Sequence, residues 1–387
     1  MIRPRVSKLV RDIPPSGIRE FFDLVQNTPG VISLGVGEPD FVTPWRIRES
    51  AIYSIEQGYT SYTSNSGDPE LRREISRYLA QNWGCEYDPT TEIMITVGVS
   101  EAVDIALRAV LEPGDEAVVT DPCYVSYAPL ITLTGAKPTF VSLDPETGFG
   151  LDPEVLRRAI TPKTKLVFLN FPNNPTGKAL SREESAAVCD VIKEKDVLLL
   201  TDEIYGELTY DREHVSLASF PDMKDRTILV HGFSKAFAMT GWRLGYMAAP
   251  SDILTGALKI HQYATLCAPI MAQKAALEAL RGGIPAMSAM RSQYDQRRHL
   301  VVEGLRAAGL ECPMPEGAFY VFPSIENTGL PAREFAKRLL AEEKVAVVPG
   351  GAFGSVGEKR LRCSYATSID HLREACDRIE RFVGRIR

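Results

Sequence analysis

The chain has 387 residues, of which 44% are hydrophobic and 24% are charged, with 44 Lys and Arg against 50 Asp and Glu. This apolar share and the modest net charge of −6 exclude an intrinsically disordered chain. An isoelectric point near 5.6 argues against a nucleic-acid-binding protein, because such proteins usually carry a basic domain. The length favours two or three domains and a protein of enzymatic size.

The cysteines and the start of the chain indicate where the protein works. The seven cysteines are an odd number without a C-x-x-C pair, which is typical of reduced thiols in a cytosol rather than of a disulfide framework. Residues 1–5 lead into no apolar segment of the kind found in signal peptides. No uninterrupted apolar stretch approaches the roughly 18 residues of a membrane span. We therefore expect a cytoplasmic enzyme that binds neither membrane nor nucleic acid.

Short apolar runs alternate with longer helical patterns between about residues 90 and 250. The runs have strand length and lie at 93–97, 117–120, 166–169, 197–200, 228–230 and 244–247. Several are apolar on both faces, as expected of strands that helices cover on both sides. Two segments between them, 100–110 and 182–195, repeat apolar residues at helical spacing. This alternation predicts an α/β fold, in which a mostly parallel sheet is the middle of three α/β/α layers.

The two ends of the chain have a different pattern. Residues 1–45 are rich in proline and glycine and show little periodicity. Beyond about residue 280, helical patterns and strand-like runs follow each other in the order 287–309, 318–322, 332–343, 345–348, 360–365 and a closing helix from residue 369. We predict a large domain over residues 46–280 and a smaller α+β domain that residues 1–45 and 281–387 form together.

Ligands of open α/β sheets bind beyond the carboxyl ends of the strands, so the residues that follow each predicted strand are the first candidates for a site. The turn after the first run contains Val99 and Ser100, whose N–H groups open a helix and suit a phosphate. Ser100 could equally be a helix cap alone. Tyr124 follows the second run, either as a ring facing the site or as a residue packed for structure.

The next two strand ends carry an amide and a carboxylate. Asn174 lies in a loop that two prolines and a glycine hold rigid, although such an asparagine can also serve the turn alone. Asp202 follows the run at 197–200, and Tyr205 comes one helical turn later. A carboxylate after a long apolar run costs free energy unless a cation pairs with it, while aspartate is also a common helix cap.

The segment after residues 228–230 contains Ser234, Lys235 and Arg243. A lysine among small and apolar residues is in the setting where desolvation lowers the pKa and turns the amine into a nucleophile. Ser234 and Arg243 offer a hydroxyl and a guanidinium to a phosphate. Each residue alone could be an ordinary surface residue, but the whole set suits one ligand, an aromatic aldehyde that carries a phosphate and a ring nitrogen.

The ordered set resembles the class I and II pyridoxal-phosphate-dependent aminotransferases, which are the aspartate aminotransferase family of fold type I. The matching residues are Gly35-Val36-Gly37-Glu38-Pro39-Asp40, Tyr62, Asn174-Pro175-Thr176-Gly177, Ser234-Lys235, Thr240-Gly241-Trp242-Arg243 and Arg362. Within the family the sequence is most similar to bacterial and archaeal enzymes for aromatic amino acids, aspartate or N-acetyl-diaminopimelate. Segments 16–19 and 261–263 are typical of that group.

The resemblance implies a role for each of these residues toward pyridoxal 5′-phosphate. Lys235 would form the internal aldimine and then move the proton between the substrate and the cofactor. Asp202 would pair with the ring nitrogen, and Tyr205 and Asn174 would hydrogen-bond the phenolic oxygen. Tyr124 would stack on the ring.

The resemblance also implies how the two anionic groups are held. The phosphate would be bound by the N–H groups of Val99 and Ser100 and by the side chains of Ser234 and Arg243. Tyr62 would reach the phosphate of the other subunit, so a homodimer is implied. The substrate carboxylate would lie against Arg362, Asn174 and the Gly37 backbone.

The expected reaction is amino-group transfer from an aromatic or mixed aspartate/aromatic L-amino acid to a 2-oxo acid such as 2-oxoglutarate. The resemblance also argues against a strict aspartate preference, because Ser100 stands where some dicarboxylate-specific relatives carry a lysine. One alternative is a carbon–sulfur β-lyase on the same fold. Another is a regulator that keeps the cofactor site as a sensor, but such proteins usually add a DNA-binding domain. The five histidines lack metal-ligand spacing, so no metal is expected.

Overall fold

The computed structural model describes residues 5–15, 17 and 28–387 of the chain. Of the segment 16–19, only Gly17 lies within these ranges, and most of residues 16–27 lie outside them. None of the helices in the described ranges is long and apolar enough to cross a membrane.

The strands form one large and two small sheets. Their bounds are β1 Ile32–Ser33, β2 Ile93–Thr96, β3 Glu116–Asp121, β4 Lys137–Ser142, β5 Thr164–Asn170, β6 Leu198–Asp202, β7 Thr227–Gly232, β8 Gly245–Ala248, β9 Tyr320–Val321, β10 Val345–Ala346, β11 Val348–Pro349 and β12 Leu361–Ser364. The large sheet has the order β2-β8-β7-β6-β5-β3-β4. Strand β8 is antiparallel to both of its neighbours, and the other pairs are parallel. The mostly parallel sheet is therefore confirmed.

Helices cover both faces of the large sheet. The helix bounds are α1 Lys8–Arg11, α2 Trp45–Glu56, α3 Pro69–Trp83, α4 Gly98–Val110, α5 Tyr127–Leu133, α6 Pro153–Ala159, α7 Arg182–Lys195, α8 Phe233–Ala236, α9 Ser251–Ala264, α10 Ile270–Gly282, α11 Ile284–Ala307, α12 Ala332–Glu343 and α13 Ile369–Ile386. Alternate strand residues pack against α4 and α9 on one face, and against α3 and α10 or α6 and α7 on the other. The three-layer α/β/α arrangement follows from strands that are apolar on both faces.

The structure differs from the predicted elements in a few places. The large sheet has a seventh strand, β4, which the sequence pattern did not predict because this edge strand contains Pro138 and leaves Phe140 half exposed. Helix α4 begins at Gly98, two residues before the predicted start. The predicted strand 345–348 is divided, since β10 pairs with β1 whereas β11 pairs with β12.

The small sheets join the two ends of the chain. Ile32 of β1 pairs with Val345 of β10 in parallel, and β12 lies between β11 and β9. Their side chains share a core with α11, α12 and α13. The pairing is consistent with a domain built from both chain ends, and the boundaries at residues 45 and 280 stay a prediction.

A buried carboxylate connects β3 with the segment before β12. Asp121 accepts hydrogen bonds from the Ser355 backbone N at 3.0 Å, the Ser355 hydroxyl at 2.6 Å and the Val356 backbone N at 3.3 Å. Three donors on one carboxylate from a distant part of the chain fix this segment against the large sheet.

We expect Asp121→Ala to lower the free energy of unfolding by about 2–3 kcal/mol, because it leaves backbone N–H groups without their acceptor. The matched control is Asp144→Ala, at an exposed carboxylate that accepts one backbone hydrogen bond from Glu146, and its cost should stay near 0.5–1 kcal/mol. Urea unfolding of both variants measures the difference, and equal losses would contradict the assignment.

Candidate active site

A cavity of about 810 Å³ lies at the carboxyl ends of the parallel strands, between the large sheet and residues from the chain ends. The structure brings together all of the predicted site residues except Tyr62. Those that line the cavity are Gly37, Val99, Ser100, Tyr124, Asn174, Asp202, Tyr205, Ser234, Lys235, Arg243 and Arg362.

Tyr62 lies elsewhere on the surface of the chain. Its side chain is 82% exposed, and it does not line the cavity of its own chain. Its role toward a second subunit stays a prediction.

Lys235 stands in the short helix α8, directly after β7. Its Nζ donates a hydrogen bond to the Gly37 carbonyl oxygen at 2.7 Å and lies 5.8 Å from the centre of the Phe319 ring. Removal of the ammonium from water lowers the pKa of Lys235 to about 8; Glu38 opposes this shift, and Arg362 adds to it. The amine therefore has a pKa near the physiological range, as an acid–base group requires.

Asp202 is the last residue of β6 and is only 5% exposed. Its Oδ2 accepts a hydrogen bond from the Tyr127 hydroxyl at 2.8 Å, and its Oδ1 accepts one from the Ile204 backbone N at 3.1 Å. Burial raises the pKa of Asp202 to about 6, while both hydrogen bonds act in the opposite direction. The carboxylate lines the cavity, and no basic side chain of the described residues is bonded to it.

Hydrogen-bond donors gather where α4 begins. Its first N–H groups have no acceptor within the helix, and no side chain caps them. Gly98 has a φ of +74°, and a Cβ there would lie 2.8 Å from Nη2 of Arg243. Glycine at position 245 lets β8 approach the first turn of α4, since a Cβ there would lie 2.8 Å from the backbone N of Val99. With the Ser234 hydroxyl on the same lining, this corner suits a phosphate.

Arg362 reaches the cavity from β12, and the residue is 3% exposed. Nη2 donates to the Gly35 carbonyl oxygen at 2.7 Å and Nη1 donates to Oδ1 of Asn174 at 3.1 Å. The guanidinium carbon lies 4.6 Å from the centre of the Tyr320 ring. Its buried Nε has no hydrogen-bond partner among the described residues. A guanidinium that is held in place with a free donor suits a carboxylate ligand.

Several lining residues were not among the sequence candidates. Tyr320 lines the cavity and shares a 2.9 Å hydrogen bond with the Tyr205 hydroxyl, and burial raises the pKa of Tyr205 well above its ordinary value. Tyr127 bonds Asp202, and Asn170 and Glu38 also line the cavity. Asn170 is the polar end of an apolar strand, which is a signal that the sequence offered. Tyr127 and Tyr320 come close to the site only through folding.

Comparison with known proteins finds aminotransferases both by sequence profile and among individual relatives. The sequence profile described as "Aminotransferase class I and II" matches residues 29–379. The putative aminotransferase YugH of Bacillus subtilis is 52% identical over 378 residues, and 98% of each chain is covered. An aspartate aminotransferase of Pyrococcus abyssi is 45% identical, with 95% of this chain and 96% of the relative covered.

A solved structure extends the likeness to three dimensions. The aromatic aminotransferase from Pyrococcus horikoshii OT3 is similar with a TM-score of 0.91 and 42% identity, over 95% of this chain and 99% of that one.

The lowered pKa of Lys235 makes a prediction about stability. Below pH 8 the folded protein keeps a poorly solvated ammonium, whereas between about pH 8 and the ordinary value of 10.5 the unfolded chain binds more protons. The contribution of Lys235 to the free energy of unfolding of the cofactor-free protein should therefore rise with pH in this interval. Lys235→Met should be more stable than the wild type by about 1–3 kcal/mol at pH 7, and the difference should shrink at pH 9.5. Urea unfolding at the two pH values checks this, and a constant difference would refute it.

Proposed function

The chain belongs to the class I and II aminotransferases, and we propose that it transfers the amino group of an aromatic or mixed aspartate/aromatic L-amino acid to a 2-oxo acid such as 2-oxoglutarate. It is a transaminase that depends on pyridoxal 5′-phosphate. The observation that carries the proposal is that the Lys235 amine, the Asp202 carboxylate and the Arg362 guanidinium line one cavity.

The residues of the cavity fit the cofactor. The free N–H groups of Val99 and Ser100, with Ser234 and Arg243, would hold its phosphate. Asp202 would pair with the ring nitrogen; Tyr205 and Asn174 would bind the phenolic oxygen, and Tyr124 would pack on the ring. When bound, pyridoxal phosphate supplies an electron sink for the charge that develops at the substrate Cα.

Lys235 is the residue suited to move the proton. Because desolvation holds its pKa near 8, a useful fraction of Nζ is the free amine at neutral pH. Such an amine can take a proton from the substrate Cα and return it elsewhere. The Gly37 carbonyl oxygen, which accepts a hydrogen bond from Nζ, orients the amine within the cavity.

Arg362 is the residue suited to hold the substrate carboxylate. Asn174, the Gly35 carbonyl and the aromatic rings of Tyr320 and Phe353 fix the guanidinium, so little conformational entropy is lost when a carboxylate binds. Its unpartnered Nε would gain an acceptor at the same time. A held carboxylate orients the Cα–H bond toward the base, which supplies a large part of the catalytic effect.

The lining favours an aromatic or apolar substrate side chain. Val36, Val103 and Leu130 contribute apolar surface, and the lining carboxylates are Glu38 and Asp202. The lining cations are Lys235, Arg243 and Arg362, and each already has a role in the proposal. A second substrate carboxylate would thus find no further cation of this chain among the described residues. One relative is named an aspartate aminotransferase and a similar structure an aromatic one, which supports the mixed type.

The proposal includes a cytoplasmic homodimer in which Tyr62 completes the partner's phosphate site. Large hydrophobic side chains are exposed on the same stretch of chain, namely Trp45, Tyr53, Tyr59 and Tyr62. Monomeric proteins seldom expose so many together, which supports burial against a second copy. All seven cysteines are free thiols, which supports a reducing compartment.

A panel of donors tests the reaction. With 2-oxoglutarate, phenylalanine or tyrosine should yield glutamate, and aspartate should yield less.

Arg362→Lys should lower kcat/KM by about 10²–10³, because an ammonium cannot reproduce the bidentate contact that a guanidinium makes with a carboxylate. Lys235→Ala is the control, and it should lose both turnover and the visible absorbance of the bound cofactor. Absence of glutamate from every donor, including alanine and N-acetyl-diaminopimelate, would overturn the proposal. Pyruvate and ammonia from cystathionine without a 2-oxo acid would identify the β-lyase.

Mixing two variants tests the shared site. Tyr62→Ala should bind the cofactor weakly, and Lys235→Ala should be inactive. A mixed dimer contains one site with both an intact Lys235 and an intact Tyr62, provided that these come from different chains. Activity after unfolding and refolding the two variants together should therefore exceed the sum of the two alone. No gain would show that Tyr62 acts within its own chain or not at all.

A further inference from the structure

A second group of buried ionisable residues lies behind the cavity. Val230 of β7 pairs in register with Asp202, so their side chains share a face of the sheet. Side chains alternate along a strand, and the next residue, His231, therefore points to the opposite face. There it is 3% exposed and packs against Trp83 and Tyr246, with ring centres 4.8 and 5.4 Å away.

Both ring nitrogens of His231 face oxygen atoms that act as acceptors. Nδ1 lies 2.9 Å from the Glu203 carbonyl oxygen, and Nε2 lies 3.3 Å from Oε1 of Glu207. A carbonyl oxygen only accepts, so Nδ1 donates to it, and Nε2 lies within ion-pairing distance of the carboxylate. This arrangement suits an imidazole with a proton on both nitrogens, which is the cationic form.

Glu207 is the counterion of this cation. Its Oε1 also accepts a hydrogen bond from the Tyr78 hydroxyl at 2.7 Å, and its buried Oε2 has no partner in the described ranges. Burial has the largest single effect and would lower the pKa of His231, but the charge and hydrogen bond of Glu207, together with the Glu203 carbonyl and charge, raise that pKa. Burial likewise disfavours the Glu207 carboxylate, yet His231 and Tyr78 hold its pKa below the ordinary value. Each charge is kept by the other.

The pair is connected to the cavity through the backbone. Asp202 ends β6, and the turn and short 3-10 helix that follow it contain Glu203, Tyr205 and Glu207. The carbonyl oxygen of Glu203 accepts a hydrogen bond from His231. The backbone N of Glu203 donates one to the Val230 carbonyl oxygen at 3.0 Å. His231 therefore ties both ends of this turn to the strand that leads to Lys235. Its positive charge also favours the ionised form of the Asp202 carboxylate.

We propose that His231, kept as an imidazolium by Glu207, is a positioning residue of the cofactor site, which fixes the turn of Asp202 and Tyr205 and keeps the Asp202 carboxylate ionised for the cofactor's ring nitrogen. The inference rests on the proposed role of Asp202. A neutral residue at position 231 leaves Asp202 more easily protonated, so its ion pair with the cofactor weakens and the cofactor leaves sooner.

The test measures retention of the cofactor as well as turnover. The holoenzyme of His231→Gln, which keeps a hydrogen-bond donor but carries no charge, should release pyridoxal phosphate about tenfold faster than the wild type, the equivalent of one pK unit at the Asp202 pair. Loss of the visible absorbance after addition of a trapping reagent gives this rate. The kcat should fall by a similar factor while KM for the donor changes by less than about threefold, since the residue does not touch the substrate.

His214→Gln is the matched control. His214 also packs against Trp83 with 4.8 Å between ring centres, and its Nε2 lies 2.6 Å from the Glu203 carboxylate. It should change the release rate by less than about twofold, because it is not tied to the turn through both of its nitrogens. Equal effects of the two variants would show that His231 acts only through packing and would overturn the inference. If His231→Gln does not fold, Glu207→Gln removes the counterion without changing the shape and should act in the same direction.

The same substitution made in a variant that already lacks the Asp202 charge separates this inference from the proposal on which it rests. In Asp202→Asn the further change His231→Gln should alter cofactor release much less than it does in the wild type, because the effect on the Asp202 charge is gone and only the effect on the position of Tyr205 remains. Additive effects would overturn the inference. If Asp202→Asn itself retains the cofactor as the wild type does, the role of Asp202 is wrong; if only His231→Gln has no effect, the proposed function stands without the inference.

Discussion

The burial of two opposite charges, the Lys235 ammonium and the Asp202 carboxylate, at one edge of the sheet determines what the cavity can bind. Burial lowers the pKa of Lys235 to about 8 and raises that of Asp202 to about 6, so each group is driven toward its neutral form. What holds them in place is a small set of hydrogen bonds, from Tyr127 to Asp202 and from Lys235 to the Gly37 carbonyl. Among the described residues, neither group has a side chain of opposite charge bonded to it. A ligand that offers an aldehyde to the amine and a protonated nitrogen to the carboxylate would therefore find both groups available for binding.

The topology of the sheet explains why these groups meet. Strands β5, β6 and β7 are parallel neighbours, so the segments that carry Asn174, Asp202 and Lys235 emerge side by side. Strand β8 runs the other way, which brings its first residues to the same edge. Gly245 at that end pairs with Thr96 of β2 on one side and Gly232 of β7 on the other. One reversed strand thus places Arg243 beside the free N–H groups of α4.

The local sequence was sufficient to predict that a residue lines the cavity wherever the position of that residue depends only on the strand it follows. Polar residues after apolar runs marked Asn174, Asp202 and Lys235, and all three line the cavity. The edge strand β4 escaped prediction because burial on both faces, the signal for the other strands, is absent there. Tyr127 and Tyr320 escaped because their partners, Asp202 and Tyr205, are 75 and 115 residues away along the chain. The charge of His231 escaped for the same reason, since its counterion Glu207 approaches only when the turn after β6 folds against β7. The roles of the single residues came from family resemblance, because no periodicity assigns a partner to an exposed residue such as Tyr62.

The chain ends complete the site in a way that couples it to the whole fold. Arg362 and Lys235 each donate to a backbone carbonyl of the same short segment, at Gly35 and Gly37. That segment follows β1, which is held by pairing with β10 rather than with the large sheet. A Cβ at Gly37 would lie 2.6 Å from the Tyr320 hydroxyl, so the segment can approach the cavity only as bare backbone. The two cations that would bind the cofactor and the substrate carboxylate are therefore also the groups that hold the N-terminal segment over the cavity.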